Sequence, residues 1–112
     1  MKRYRMTAQT SLRARSYAQR VIPLLGKISK IKGYRFHSKR GDVYTSWECV
    51  LLVGENGSAR LNGVCWGYHG EGPRTLHGIL VQCGLSNEKA KELAFSSERR
   101  SEDGVDWEVR NI

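Results

Sequence analysis

The dipeptide Asn56-Gly57 constrains the fold of this chain more than any other local feature. It lies between two runs of residues that favour β-strands, 44–53 and 60–68. Asn-Gly between such runs is typical of a two-residue type I′ turn, because both residues adopt positive φ angles easily. The sequence therefore predicts a β-hairpin and, with it, an antiparallel sheet.

A two-residue turn at these positions also fixes which residues lie opposite one another. Trp47 pairs with Trp66 across the strands, which is a favourable aromatic contact. Cys49 and Cys65 fall on opposite faces, so this register forbids a disulfide between them. Together with Cys83 they are the three cysteines of the chain. An odd number at wide spacing favours reduced thiols and a cytoplasmic protein.

Apolar spacing predicts a helix in the N-terminal third, beginning near Thr7. Pro23 removes a backbone hydrogen bond and clashes with the preceding turn, so the helix is expected to end or kink near 20–22. A strand over 31–37 follows, and then a turn at 39–42. The predicted buried stripe of the helix is Ala14, Ala18, Val21, Leu25 and Ile28.

Two helices and a last strand are predicted in the C-terminal half. Pro73 suits the first position of a helix, where its missing N–H needs no partner. Gly84 is expected to close this helix as a Schellman motif, and Ser86 is expected to cap the next one. Alternation over 106–112 predicts the strand. The predicted buried stripe of the first helix is Leu76, Ile79, Leu80 and Cys83.

Together these elements predict an α+β fold in a single domain over residues 7–112, preceded by a basic arm at 1–6. The domain has an N-terminal helix, an antiparallel sheet of about four strands that includes the Asn-Gly hairpin, two helices in the C-terminal half and a final strand. Helices are expected to pack on one face of the sheet. A chain of 112 residues is long enough to bury one core.

Charge is divided unevenly along the chain. The first 41 residues contain no Asp or Glu and hold 12 of the 19 Lys and Arg residues. From Asp42 onward, 11 acidic residues outnumber 7 basic ones, and the net charge is +8. A dense positive field attracts phosphate polymers and acidic protein surfaces. The sequence therefore predicts an anionic partner.

Nucleic acid, alone or in a nucleoprotein complex, is the partner that this basic segment fits best. Its cations could follow a phosphate backbone, and Tyr4, Tyr34 and Phe36 could stack on bases. Tyr34 and Phe36 are nevertheless expected in the core, since a strand buries one side. An acidic host protein, or a solvated basic face without a role, are the alternatives. The residues predicted to contact nucleic acid are Arg3, Arg5, Arg13, Arg15, Arg20, Lys30, Lys32, Arg35, Lys39 and Arg40.

A glycine-rich segment before the Pro73 helix is the second candidate site. A helix start presents unpaired N–H groups and a positive dipole end, which favour anions such as the phosphate of a nucleotide. The alternative is a tight connection whose glycines supply positive φ angles, and Glu71 opposes an anion there. The residues predicted to bind such a ligand are Tyr68, His69, Gly70, Gly72, Arg74 and Thr75.

The segment from Trp66 to Leu76 has the pattern W-G-Y-x-G-x-G-P-x-x-L, and a Trp-Glu-Val strand follows at 107–109. In this C-terminal half the chain resembles a family of small proteins encoded by phages and mobile elements. The family brings no established activity. The resemblance implies a phage or mobile-element origin, a context in which small binders and inhibitors of host defence complexes are common.

Other chemistry is not indicated by the sequence. The cysteines and histidines lack the spacing of metal ligands, and no nucleophile has a base at a suitable spacing. No apolar run reaches the ~18 residues that would span a membrane. We therefore expect a non-enzymatic binding protein without a cofactor, a metal or a membrane partner. A nucleotide sequestrant and an inhibitor of a host complex are the alternative hypotheses.

Overall fold

The computed structural model describes residues 2–5, 10–98 and 103–112, without the side chain of Arg5. Its helices and strands confirm the predicted α+β class. The elements are β1 (Lys2–Arg5), α1 (Ser11–Leu25), β2 (Ile28–Arg40), β3 (Val43–Gly54), β4 (Gly57–Leu61), α2 (Glu71–Gln82), α3 (Asn87–Lys91) and β5 (Gly104–Arg110). A π-helical turn, Glu92–Ser96, continues α3.

Five strands in the described part of the chain form one mixed sheet in the order β1-β4-β3-β2-β5. β1 runs parallel to β4, and the other neighbours are antiparallel. The prediction of about four antiparallel strands missed β1, which lies in the predicted basic arm. This basic segment is too short to show the apolar alternation from which a strand is predicted. Its pairing with β4 and the packing of Tyr4 against the core place it in the sheet.

The β3–β4 turn lies one residue earlier than predicted. Gly54 pairs with Gly57, so the two residues between them form the turn, and the register based on Asn56-Gly57 is wrong. Tertiary contacts hold this register, because the Asn56 N–H donates to the Leu25 carbonyl oxygen at 2.9 Å. Gly57 is needed within the strand itself, where a Cβ would lie 2.6 Å from the carbonyl oxygen of Lys2.

The shifted register separates the two tryptophans that were predicted to pair. β4 ends at Leu61, so the predicted strand 60–68 is too long and Trp66 lies beyond it. Trp66 is buried and meets Trp107 edge to face, with 5.5 Å between the ring centroids. Trp47 lies opposite Phe36 of β2 instead.

α1 continues through Pro23 to Leu25, beyond its predicted end. The proline lies in the last turn, where the lost hydrogen bond affects only the end of the helix. The Thr10 hydroxyl caps the first turn by accepting from the Arg13 N–H at 3.3 Å. The predicted stripe is confirmed in the helix at Ala14, Ala18, Val21 and Leu25, whereas Ile28 begins β2.

The predicted end of α2 is confirmed. The Leu85 N–H donates to the Leu80 carbonyl at 3.2 Å and the Gly84 N–H to the Val81 carbonyl at 3.0 Å, which is the Schellman pattern. Gly84 has a φ of 109°, a conformation that favours glycine. The predicted stripe is buried at Leu76, Ile79, Leu80 and Cys83.

Of the two helix starts in the C-terminal half, that of α3 is confirmed, whereas that of α2 differs from the prediction of Pro73 as its first residue. α2 begins at Glu71, two residues before Pro73. Ser86 caps α3 as predicted, because its hydroxyl accepts from the Lys89 N–H at 3.2 Å. The last strand begins slightly earlier than predicted and ends at Arg110.

The core lies between the helices and one face of the sheet, as predicted. At its centre the Trp107 ring of β5 lies directly on Gly33 of β2, in the space that a Cβ would occupy. Within the described residues, no helix is both long enough and apolar enough to cross a membrane. The opposite face of the sheet carries a different set of side chains, which form the candidate site.

Candidate functional site

The face of the sheet opposite the core is called the open face here, since none of the described helices packs on it. Along β2, Ile31, Gly33 and Arg35 are buried on the helix side. The alternate residues Lys32, Tyr34 and Phe36 therefore project to the open face. Residues that pair across a sheet share a face, so the registers of β2 with its neighbours identify the rest of this surface.

Three aromatic side chains lie together on the open face and are called the aromatic platform: Tyr34, Phe36 and Trp47. The Tyr34 and Phe36 rings are almost parallel, at 9°, with 6.0 Å between centroids. Phe36 and Trp47 stack across β2 and β3, with centroids 5.8 Å apart. Tyr34 and Phe36 are half-buried and Trp47 is 44% exposed. The expectation that Tyr34 and Phe36 belong to the core is wrong, because the helices cover the other face.

Arg60 of β4 completes the platform. Its guanidinium lies over the Phe36 ring, 5.6 Å from the centroid, a cation–π arrangement. Tyr34, Phe36, Leu51 and Arg60 surround a shallow cavity of about 210 Å³, with Cys49 at its floor. Burial raises the pKa of the Cys49 thiol, although the nearby Arg60 acts in the opposite direction. The cavity therefore combines flat apolar walls with one cation.

Further cations lie around the platform on the same face. Lys30 pairs with Val53 of β3, which pairs with Ser58 of β4, which in turn pairs with Arg3 of β1. On its other side Lys30 pairs with Arg110 of β5, so this row carries cations at both of its ends. Arg3 is exposed and Lys30 is half-buried. Within the described residues, neither of these two cations forms an ion pair.

One carboxylate on the open face joins two of its cations. Glu108 Oε1 lies 3.3 Å from Lys32 Nζ and 3.2 Å from Arg110 Nη2. The hydrogen bond from Arg110, followed by that from Lys32, lowers the pKa of Glu108. With two cations on a single carboxylate, this cluster keeps an excess of positive charge.

Arg35 does not lie on a surface that nucleic acid could reach, as the sequence predicts that it should. Its side chain is 3% exposed on the core side of the sheet. Nη1 lies 2.6 Å from Glu48 Oε1 and Nε lies 3.2 Å from Asp106 Oδ2. The guanidinium is therefore neutralised and removed from solvent, and it holds three strands together instead of contacting a partner.

The cations of α1 lie on the other side of the molecule from the platform. Arg13, Arg15 and Arg20 are exposed on a helix that packs on the core face. Arg15 lines a groove between α1 and α2, about 400 Å³ in volume, together with Glu71 and Arg74. The predicted basic segment is therefore not a single surface, because the fold divides it between two opposite sides.

The remaining predicted cations lie at two ends of the sheet. Lys39 and Arg40 are exposed next to the β2–β3 turn. The backbone of Arg5 pairs with Arg60 in the β1–β4 register, while its side chain is outside the description.

The glycine-rich segment brings part of the predicted ligand site together. His69 stacks on Phe95, with 4.9 Å between ring centroids, and both line a cavity of about 270 Å³ with Gly70 and Arg74. Arg74 Nε donates to the Gly70 carbonyl at 3.3 Å, which directs it back to its own helix start. Phe95 could not be predicted for this site, since its position follows from the packing of the π-helical turn on α2.

The other predicted ligand residues are placed around this cavity rather than in it. Tyr68 is exposed beside Gly70, and a Cβ on that glycine would lie 2.7 Å from the tyrosine ring. Gly72 packs against Cys65. Thr75 lines the groove between α1 and α2 instead.

Trp47, Arg60 and Arg110 were missed by the sequence prediction. The sequence predicts a pair of Trp47 with Trp66, and Arg60 and Arg110 lie outside the basic N-terminal third. The period-two alternation of Lys32, Tyr34 and Phe36 was the available signal, since it places a cation and two rings on one face.

Comparison with protein-family models, with curated proteins and with solved structures found no significant match. The resemblance to small phage and mobile-element proteins therefore stays a prediction. In the described part of the chain, His, Cys, Asp and Glu side chains form no group of three that could hold a metal ion.

Proposed function

We propose that this chain is a non-enzymatic protein that binds single-stranded nucleic acid on the open face of its sheet. The observation that carries the proposal is the aromatic platform, Tyr34, Phe36 and Trp47, on the same face as several cations. Rings for stacking and cations for phosphates are the two components of single-strand recognition.

The platform supports a single strand rather than a duplex as the ligand. Unpaired bases can turn their faces toward aromatic side chains, whereas a duplex keeps those faces stacked inside the helix. Each stacked base contributes roughly 1–3 kcal/mol. With three rings in contact along one face, a strand that crosses β2 and β3 could place successive bases on them.

The charges of the open face support the same conclusion. Arg3, Lys30 and Arg60 flank the platform, and the Glu108 cluster adds further positive charge at the β5 edge. Phosphate contacts release counterions, so the logarithm of affinity falls with the logarithm of salt by ~0.7 for each contact on a single strand. We therefore expect steep salt dependence and little sequence preference.

The experiment is a titration of labelled single-stranded DNA, single-stranded RNA and duplex DNA with the protein, followed by fluorescence anisotropy at several salt concentrations. Both single strands are expected to bind more tightly than the duplex. Affinities that do not change with salt would contradict the proposed phosphate contacts. A preference for the duplex would contradict the proposed stacking of bases on the platform.

Two matched variants locate the binding face. The open-face triple variant Arg3→Ala, Lys30→Ala, Arg60→Ala removes three cations around the platform. The control triple variant Arg13→Ala, Arg15→Ala, Arg20→Ala removes the same charge from α1. Weaker binding in the first and unchanged binding in the second is expected. The reverse result would place the interface on α1.

A second candidate is a phosphate-bearing nucleotide in the groove between α1 and α2. One observation favours it: Arg15 and Arg74, from different helices, line the same groove of about 400 Å³. Glu71 in the same groove opposes an anion. A tightly bound ligand would raise the melting temperature of the protein, and the rise would grow with the ligand concentration. In a thermal scan with a nucleotide panel, Arg74→Ala should abolish this rise. A shift that survives Arg74→Ala excludes this groove.

A further inference from the structure

β2 and β3 continue beyond the rest of the sheet as a two-stranded ribbon, residues 36–47. The pairing of β4 with β3 ends at Val50, and the pairing of β5 with β2 ends at Arg35. Past these points the described strands pair only with each other. At about 3.3 Å per residue, residues 36–40 project roughly 17 Å. The molecule accordingly measures 43 Å along its longest axis, against 29 and 24 Å.

The tip of the ribbon combines apolar side chains with cations. Val43 is 63% exposed and Tyr44 is 64% exposed. Lys39 and Arg40 are exposed on the opposite strand, where each lies across from one of these apolar residues. A two-stranded ribbon gains little stability on its own, and these side chains are outside the core. Stability therefore gives no reason for the length of the ribbon.

Contacts at the base of the ribbon fix its direction relative to the platform. Phe36 and Trp47 belong to both, because they are the pair at which the ribbon begins. On the other face, the His37 N–H donates to Asp103 Oδ1 at 2.8 Å and Nδ1 lies 2.6 Å from the same oxygen. The His37 and Tyr44 rings are also in contact, with centroids 5.6 Å apart.

We propose that the ribbon tip contacts the end of a duplex, so that the preferred ligand is a junction between a duplex and a single strand. The inference rests on the proposed function, in which the platform holds the strand. Val43, which projects to the face of the platform, packs on the terminal base pair, as apolar side chains do when they wedge between bases. Tyr44 projects to the opposite face, next to His37, and borders the other side of the tip. Lys39 and Arg40 contact the phosphates on either side of the junction.

The spacing agrees with this arrangement. Val43 and Trp47 are four residues apart on β3, which corresponds to roughly 13 Å along the strand. A nucleic acid strand that leaves the duplex at the tip therefore reaches the aromatic platform after a short path along the ribbon. Because the platform residue Trp47 and the tip residues share one strand, the ribbon keeps this distance constant.

The test compares three labelled ligands: a forked duplex with a single-stranded tail, the tail alone and a blunt duplex. The wild-type protein is expected to bind the fork about tenfold or more tightly than the tail, since the tip adds contacts worth at least 1.4 kcal/mol. The tip variant Val43→Ser, Tyr44→Ser should bind the tail as the wild type does and lose the preference for the fork. Both residues are exposed, so folding should be retained.

A matched control is Leu24→Ser, Val81→Ser, which removes two exposed apolar side chains from the helix layer and should keep the preference. Equal binding of fork and tail by the wild type, or an unchanged preference in the tip variant, would overturn the junction inference alone. Failure to bind the tail would overturn the proposed function itself.

Discussion

Arg35 Nε and Asp106 Oδ2 lie 3.2 Å apart in an ion pair that is almost completely removed from solvent. The same carboxylate oxygen accepts from Trp66 Nε1 at 2.9 Å. The guanidinium also reaches Glu48 and lies over the Trp66 ring, 5.9 Å from its centroid. One buried charge therefore joins four parts of the fold: β2, β3, β5 and the loop after β4.

We predict that Asp106→Ala destabilises the fold severely. It leaves the buried guanidinium with one carboxylate and the Trp66 N–H without its acceptor, and breaking a buried pair costs about 3–5 kcal/mol. Urea unfolding followed by circular dichroism measures the loss. The control is Asp103→Ala, whose carboxylate is 61% exposed and whose removal should cost about 0–1 kcal/mol. Similar losses in both variants would contradict a special role for the buried pair.

Two glycine substitutions, Gly33→Ala and Gly78→Ala, should have opposite effects on stability, because Gly33 contacts Trp107 whereas Gly78 is exposed. Gly33→Ala places a Cβ against the Trp107 ring, and such overpacking costs about 1–3 kcal/mol. Gly78 is exposed within α2, with open space where an added Cβ would lie. Gly78→Ala should therefore stabilise the protein by about 0.5–1 kcal/mol. Thermal unfolding of the two variants tests the difference in sign.

The buried thiol of Cys83 predicts a loss of stability at alkaline pH. Burial raises its pKa from 9.0 to about 12. An unfolded chain releases this proton first, so the contribution is complete below pH 9 and is lost as the pH rises toward 12. The slope for one such group is about 1.4 kcal/mol per pH unit.

Urea midpoints measured across this alkaline range for the wild type and for Cys83→Ala test the prediction. The variant should show a smaller fall with pH, and the difference between the two curves isolates Cys83 from other groups, such as Cys49 and Tyr17, whose pKa values are also raised. Parallel curves would mean that the Cys83 thiol does not contribute.

Trp47 provides a fluorescence test of the platform. Trp66 is fully buried and Trp107 is 8% exposed, whereas Trp47 is 44% exposed. A base that stacks on the platform should therefore quench Trp47 and leave the other two unchanged. Trp47→Phe should remove the emission change on addition of a single strand and weaken binding only moderately, since a ring remains. Equal quenching in this variant would place the bound strand elsewhere.

The sequence predicted well those features that depend on local chemistry. The Schellman end at Gly84, the Ser86 cap and the apolar stripes of α1 and α2 follow from neighbours within one or two turns of helix. Their contacts in the fold are the predicted ones.

The missed features depend on contacts between distant residues. The sequence predicts Gly57 as a turn residue, whereas the fold requires a glycine there because β1 passes close to it. Arg35 has the same sequence context as the half-buried Lys32 and the exposed Lys39. Only its position opposite Glu48 and near Asp106 reveals that it is buried. The side of β2 that carries Tyr34 could not be assigned to core or solvent without knowing where the helices pack.

The position of β5 beside β2 has a consequence for how the protein is made. Arg35 and Asp106 are 71 residues apart, whereas Arg35 and Glu48 are 13 residues apart, so a ribosome must complete the whole segment before the guanidinium gains its second carboxylate and β2 gains β5. Earlier nascent chains would hold β2 and β3 with an unprotected edge, which is a surface prone to aggregation. This sheet is thus expected to be completed only after β5 has been synthesised.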